Sequence, residues 1–163
     1  MGLPQLRPND VVKVANGNRT MRATATIIKA CLQAQIPVML ENPFHSMLWL
    51  APPIAKLLLH SAAVSTVTDL CGFKAKWRKR TRLVGWFCGN LLDLRRLCTG
   101  RGGLCSFSGN HHIVLEGHAP NGPLWTVLAQ VYPTNLAQKI ASTFISSASE
   151  SQVHRLLGIG CGL

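Results

Sequence analysis

The sequence predicts an α/β fold, and three observations carry that expectation. Short runs rich in β-branched and apolar residues, IPVML at 36–40, AVSTVTDL at 63–70 and TRLVGWFC at 81–88, read as strands. Segments with helical spacing alternate with them, giving the order helix–strand–helix–strand at the start of the chain. With 163 residues, 47% of them apolar, the chain can bury one real core and is not disordered as a whole.

Each element has its own local reason. Residues 1–17 hold two prolines, two glycines and no periodicity, so they are expected to be an irregular N-terminal segment. Between 18 and 35, Met21, Ala25, Ile28 and Leu32 share one helical face, with Asn18 as the N-cap. Pro37 is tolerable at the first position of a strand. Ser46 can cap a following helix, which Pro52-Pro53 breaks and restarts before IAKLLLHSA at 54–62. NLLDLRRL at 90–97 reads as a short helix and GRGG at 100–103 as a loop. HIVLEG at 112–117 and PLWTVLAQVY at 123–132 read as strands, with the turn-rich HAPNGP between them able to close a hairpin. Leu136, Ile140, Ala141 and Phe144 predict a helix over 134–147, capped by Thr134. Residues 146–163 form a Ser/Gly-rich tail. Its Gly158, Gly160 and Gly162 look like a cofactor loop, but no helix follows to face a ligand, so a tail is the preferred reading.

Charge narrows the function. There are 17 Lys and Arg against 6 Asp and Glu, a net charge of +11. Such a balance points to a polyanionic partner, above all nucleic acid. No apolar leader is evident at the N-terminus, and the most apolar window, 36–59, contains Glu41, His45, Lys56 and several prolines, so no membrane span is expected. An intracellular location, nuclear or cytoplasmic, is the expectation, and the six cysteines then read as thiols or metal ligands rather than a disulfide frame.

One acidic residue stands out. Glu41-Asn42 follows the apolar strand, at the carboxyl end where ligands bind in open α/β sheets. IPVMLENP at 36–43 resembles the strand ending in Glu-Asn-Val of cytosine-5 DNA methyltransferases, preceded here by a helix carrying Arg19 and Arg22. DLCGFKAKWRKRTRLVGWF at 69–87 resembles that family's arginine-rich segment leading into an apolar strand. The succession Glu-Asn-Pro-x-x-Ser-x-Leu-Trp, Gly-x-x-x-x-Trp-Arg-Lys-x-Thr and YPTNLAQKIA is similar to methyltransferase-like domains of retroelement polyproteins, and spans residues 18–145. The resemblance implies the C-terminal portion of a class I, Rossmann-like methyltransferase sheet with flanking helices, followed by a smaller β-rich region. It implies S-adenosylmethionine as cofactor and cytosine in DNA as substrate. Glu41 would hydrogen-bond the edge of a flipped base, and Asn42 would fix the strand-end geometry. The family's Pro-Cys nucleophile and glycine-rich cofactor loop have no counterpart here: none of the nine prolines precedes a cysteine. The chain is therefore expected to be a truncated or degenerate copy, inactive alone or completed by an N-terminal half. The alternative is a basic nucleic-acid-binding module of a retroelement-like protein that could carry a structural zinc.

Two further constellations bear on that choice. Lys74, Lys76, Arg78, Lys79, Arg80 and Arg82 crowd into nine residues around Trp77, a density that favours phosphate contact, with the indole able to stack on a base. Cys98 and Cys105 stand with His112, or its neighbour His111, at short range, and Cys71 or His118 is available as a fourth ligand. Thiolates and imidazole suit tetrahedral zinc, but Cys-x6-Cys is not the tight knuckle spacing, so ordinary buried thiols and surface histidines are the preferred reading and zinc the alternative. Cys31 and Cys88 are most simply core residues, His45 a residue at the start of a helix, Ser46 a cap and Trp49 a packing residue.

Overall fold

A computed structural model describes residues 5–120 and 122–147. Its centre is a three-stranded sheet in the order β1-β3-β2, with β1 at Val38–Pro43, β2 at Ala63–Asp69 and β3 at Arg80–Trp86. The central β3 runs antiparallel to both neighbours, so β1 and β2 are parallel to one another. The α/β expectation holds at this level only: helices and turns cover both faces of a small sheet whose two ladders are antiparallel.

The pleat sorts the core into two layers. Val38 and Leu40 of β1 and Val84 and Trp86 of β3 pack with Met21, Ala25 and Ile28 of α1 (Pro8–Gln33) and with Ile54 and Leu57 of α2 (Pro52–Leu58). Met39 and Leu83 face the other way, toward Leu70, Phe73, Leu91 and Leu94 in the connecting turns and Leu136 of the C-terminal helix over Thr134–Ser147. The two buried tryptophans each satisfy their indole N–H: Trp86 donates to the Leu57 carbonyl at 3.1 Å and Trp49 to that of Pro43 at 2.9 Å.

Several elements differ from the sequence expectation. α1 begins at Pro8 rather than after residue 17. Pro8 occupies the first turn, where its missing N–H costs nothing, and Asp10 sits near the positive end of the helix dipole within 3.0 Å of Arg7. Among the described residues none from 8 to 20 is buried, and Val11 and Val12 are exposed, which is why no apolar period marks the first part of the helix. The helix expected after Ser46 is a 3-10 turn over Met47–Leu50 with Ser46 accepting from the Leu48 N–H, and NLLDLRRL forms only a 3-10 turn, Leu91–Leu94.

The β-rich region is a correction. Neither 112–117 nor 123–132 is a strand; the region holds two isolated bridges, Leu104 with His111 and His118 with Leu124, and a four-residue helix, α3, over Trp125–Leu128. Val114, Leu124, Val127 and Val131 remain exposed. The apolar alternation there has no sheet face to bury against, and without one a β-like pattern does not make a strand. The C-terminal helix, α4, matches the expected span. Gly158, Gly160, Gly162 and most of the predicted tail lie outside the described residues.

Candidate metal centre

Beneath the open ends of β2 and β3, the chain makes a loop layer from residues 70–79 and 95–113. Cys71 enters it on the 3-10 turn Leu70–Phe73 directly after β2. Cys98 follows the Leu91–Leu94 turn, and Cys105 and His112 lie on either side of a tight loop closed by the Cys105 N–H donating to the Asn110 carbonyl at 2.8 Å. The backbone can fold so sharply because Gly100, Gly102, Gly103 and Gly109 adopt left-handed conformations. At Gly100 (φ 61) the absent side chain also makes room for the Arg78 guanidinium.

The ligand atoms of Cys71, Cys98, Cys105 and His112 all lie within 4.8 Å of one another. The three cysteines form a buried cluster, and the Cys98 Sγ stands 3.6 Å from His112 Nε2. A tetrahedron built on zinc–sulfur and zinc–nitrogen bonds of about 2.3 and 2.0 Å has edges of about 3.5–3.8 Å, so the donor set fits such an ion with small adjustments. This is the set Cys98, Cys105 and His112 anticipated from the sequence, with Cys71 as the fourth member; His111 and His118 are exposed and outside it.

The surroundings prepare two of the thiols for ionisation. Burial pushes the Cys105 thiol up, but hydrogen bonds from the Ser108 hydroxyl and the Phe107 and Ser108 N–H groups outweigh it and hold the group at about 7. At Cys98, burial is likewise outweighed by the Ser106 hydroxyl and the Ser106 and Gly100 N–H groups, so its thiol lies below its ordinary value. Cys71 is pushed well up by burial and by the two neighbouring sulfurs.

Asp69 ties this centre to the sheet. It is fully buried and its carboxylate accepts from Arg80 Nε and Nη2, each at 2.8 Å, from Arg78 Nε at 3.3 Å and from the Cys98 N–H at 2.8 Å. Burial opposes its ionisation, but the hydrogen bonds and charges of Arg80, Arg78 and the Cys98 amide hold its carboxyl below the ordinary value. The sequence offered no way to single out this aspartate, because its partners lie 9, 11 and 29 residues away.

The basic segment divides by role. Arg78 and Arg80 serve Asp69, Lys79 Nζ donates to the Ala129 carbonyl at 3.3 Å, and Arg82 donates to Ser65 Oγ at 2.9 Å while lying over the Trp49 ring. The Trp77 indole nitrogen is buried without a hydrogen-bond partner among the described residues, and the residue as a whole is half-buried. Lys74 and Lys76 alone of the six are exposed, and no carboxylate among the described residues pairs with either.

Glu41 lies within β1 rather than beyond its end, opposite Leu83, and Asn42 lies opposite Arg82. The Glu41 carboxylate accepts from the buried Thr81 hydroxyl and from Tyr132, whose phenol is pushed above its ordinary range by burial and by that carboxylate. By the alternation of the pleat, Glu41 and Thr81 project to the face of the sheet that carries Leu83, and Arg80 and Arg82 to the opposite one. A shared cleft formed by Glu41 and these two arginines is therefore not what the strands build. Nothing in the described geometry supports S-adenosylmethionine binding. No described helix is long and apolar enough to cross a membrane. Comparisons with protein-family models, curated proteins and solved structures return no match.

Proposed function

We propose that this chain is a basic nucleic-acid-binding module whose loop layer is stapled by a structural zinc ion. The observation that carries the reading is the convergence of Cys71, Cys98, Cys105 and His112 from four separated points of the chain into one buried donor set. With all four positions filled by protein, zinc would have no open site for chemistry and would serve to hold the loops. A layer so held could present cations to a polyanion, and the net charge of +11 supplies the attraction. The binding of a fluorescein-labelled oligonucleotide, followed by anisotropy across a salt series, tests this. Affinity should fall steeply with salt and drop when zinc is chelated; an absence of binding, or binding indifferent to both, contradicts the proposal.

A second reading is favoured by one specific observation. β1 and β2 are parallel and joined through α2, with a reversed strand between them and helices on both faces. Two parallel strands joined by a helical crossover are the unit from which doubly wound folds are built; here the reversed β3 lies between them, so both ladders of the sheet are antiparallel. This arrangement supports descent from the Rossmann-like, C-terminal portion of a cytosine-5 DNA methyltransferase-like domain of retroelement type. In that reading Glu41 has exchanged a base for Thr81 and Tyr132, and the retained property is DNA contact. Calorimetric titration with S-adenosylmethionine separates the two: saturable binding would favour a working methyltransferase half over the zinc module.

A further inference from the structure

The surface beside the metal centre is concave and basic. A cavity of about 530 Å3 is lined by Lys74, Lys76 and Arg96, by Phe107 and by the flanks of Cys105 and His112. A second cavity, of about 470 Å3, shares Gly72, Lys74 and Arg96 with the first and continues along α4 past Lys139. The two cavities are neighbours on one basic surface, with Gly72, Lys74 and Arg96 lining both, and this pair is the groove. No carboxylate lines it, and none among the described residues pairs with its four cations.

The groove is built rather than incidental. Gly72 lies where a side chain would meet Arg96 at 2.7 Å and Phe107 at 3.3 Å, so its bare backbone lets both approach. Arg96 is fixed by its Nη1 donating to the Gly72 carbonyl at 3.3 Å and by stacking over Phe73 at 5.2 Å. Lys74 is held in the left-handed region (φ 73), a conformation a lysine seldom adopts. Phe107 is 45% exposed, unusual for a phenylalanine with a core nearby. A zinc ion with three thiolates carries one net negative charge, which three adjacent cations more than offset, leaving the groove electropositive.

We infer that this groove is a binding track for single-stranded nucleic acid, with Lys74, Lys76, Arg96 and Lys139 following the phosphates and Phe107 stacking on a base. The inference rests on the nucleic-acid reading above and gives it an address. A concave strip with an aromatic inside it suits an unpaired strand, whose bases are free to stack; a duplex hides those faces. The arginines of β3, though denser in sequence, are already committed within the protein.

Zinc-loaded protein is titrated into labelled dT12, rU12 and a 12-base-pair DNA duplex. The variants are Lys74→Ala with Lys76→Ala, Phe107→Leu, and, as a control on the far helix, Arg19→Ala with Arg22→Ala. The double lysine variant is expected to weaken single-strand binding at least about tenfold and to lower the magnitude of the log–log salt slope by about 1.4, two contacts at about 0.7 each. Phe107→Leu is expected to weaken it about fivefold or more with the slope unchanged, because stacking releases no counterions. The control pair should lose far less, and the comparison of dT12 with rU12 assigns the sugar preference. Single-strand binding that survives the lysine and Phe107 changes but falls in the control pair overturns the groove while leaving the nucleic-acid reading intact. Tighter binding of the duplex than of either single strand also overturns the groove. Failure of wild type to bind any of the three overturns both.

Discussion

Replacing Asp69 by alanine tests the link between sheet and loop layer. The carboxylate is fully buried and makes four hydrogen bonds, three with arginines and one with the Cys98 amide. Its loss leaves a buried N–H without a partner, costing about 1–3 kcal/mol. Breaking a fully buried ion pair costs about 3–5 kcal/mol, but Arg78 and Arg80 keep 36% and 34% of their side-chain surface. Water can partly re-solvate them, so about 1–2 kcal/mol is the appropriate share. Together the change amounts to about 3 kcal/mol. In urea unfolding followed by tryptophan fluorescence, with zinc saturating, that is a midpoint shift of about 1.5 M for a slope near 2 kcal/mol/M. Asp69→Asn, which keeps an acceptor for the Cys98 N–H, should lose about half as much. A shift for the alanine variant under about 0.3 M at unchanged slope would refute the assignment of Asp69 as the tie.

Other predictions follow from separate features. Tyr132 is the chain's single tyrosine, so its ultraviolet titration reports one phenol; it should ionise above the ordinary value of 10, and Glu41→Gln should lower the midpoint without restoring it fully, because burial is the larger cause. Since the folded-state value is raised, the associated stability is complete below pH 10 and lost as pH rises through the folded midpoint, which alkaline unfolding can verify. Gly100→Val should destabilise by about 2 kcal/mol or more, since a β-branched residue is strained at φ 61 and the Arg78 guanidinium fills the space, and a thermal melt measures it. Chelation of zinc should release hydrogen-exchange protection at 98–112 while β1 and β3 keep theirs, because Leu83, Val84 and Trp86 are buried by helices and turns rather than by the metal.

The parts of this fold legible in the sequence are those whose signal is local. The three strands were readable because β-branched runs end in turn residues, and α4 because Leu136 and Ile140 repeat on its buried face. The early turns of α1 were not, since none of the described residues from 8 to 20 is buried and so no apolar period marks them. The expected hairpin at 112–132 failed for the converse reason: alternation was present, but no sheet face received it. The candidate metal ligands were largely legible as residue types, and Cys71 was the uncertain member because its 27-residue separation from Cys98 resembles no compact ligand spacing. The roles within the basic segment were hidden, because which cations are spent internally depends on where Asp69, Ser65 and Ala129 arrive in space. Phe107 and Arg96 join Lys74 only through the close packing at Gly72, which no pattern along the chain announces.

The most direct test of the metal centre is cobalt substitution read by absorption spectroscopy. Titration of metal-free protein with Co2+ should saturate at one equivalent, with the visible bands of a tetrahedral ion and thiolate charge-transfer intensity, and zinc should displace it. Cys98→Ser and His112→Ala should each abolish or shift that spectrum, while His111→Ala leaves it unchanged. A featureless titration, or a spectrum that all three variants share with wild type, would contradict a centre made of Cys71, Cys98, Cys105 and His112.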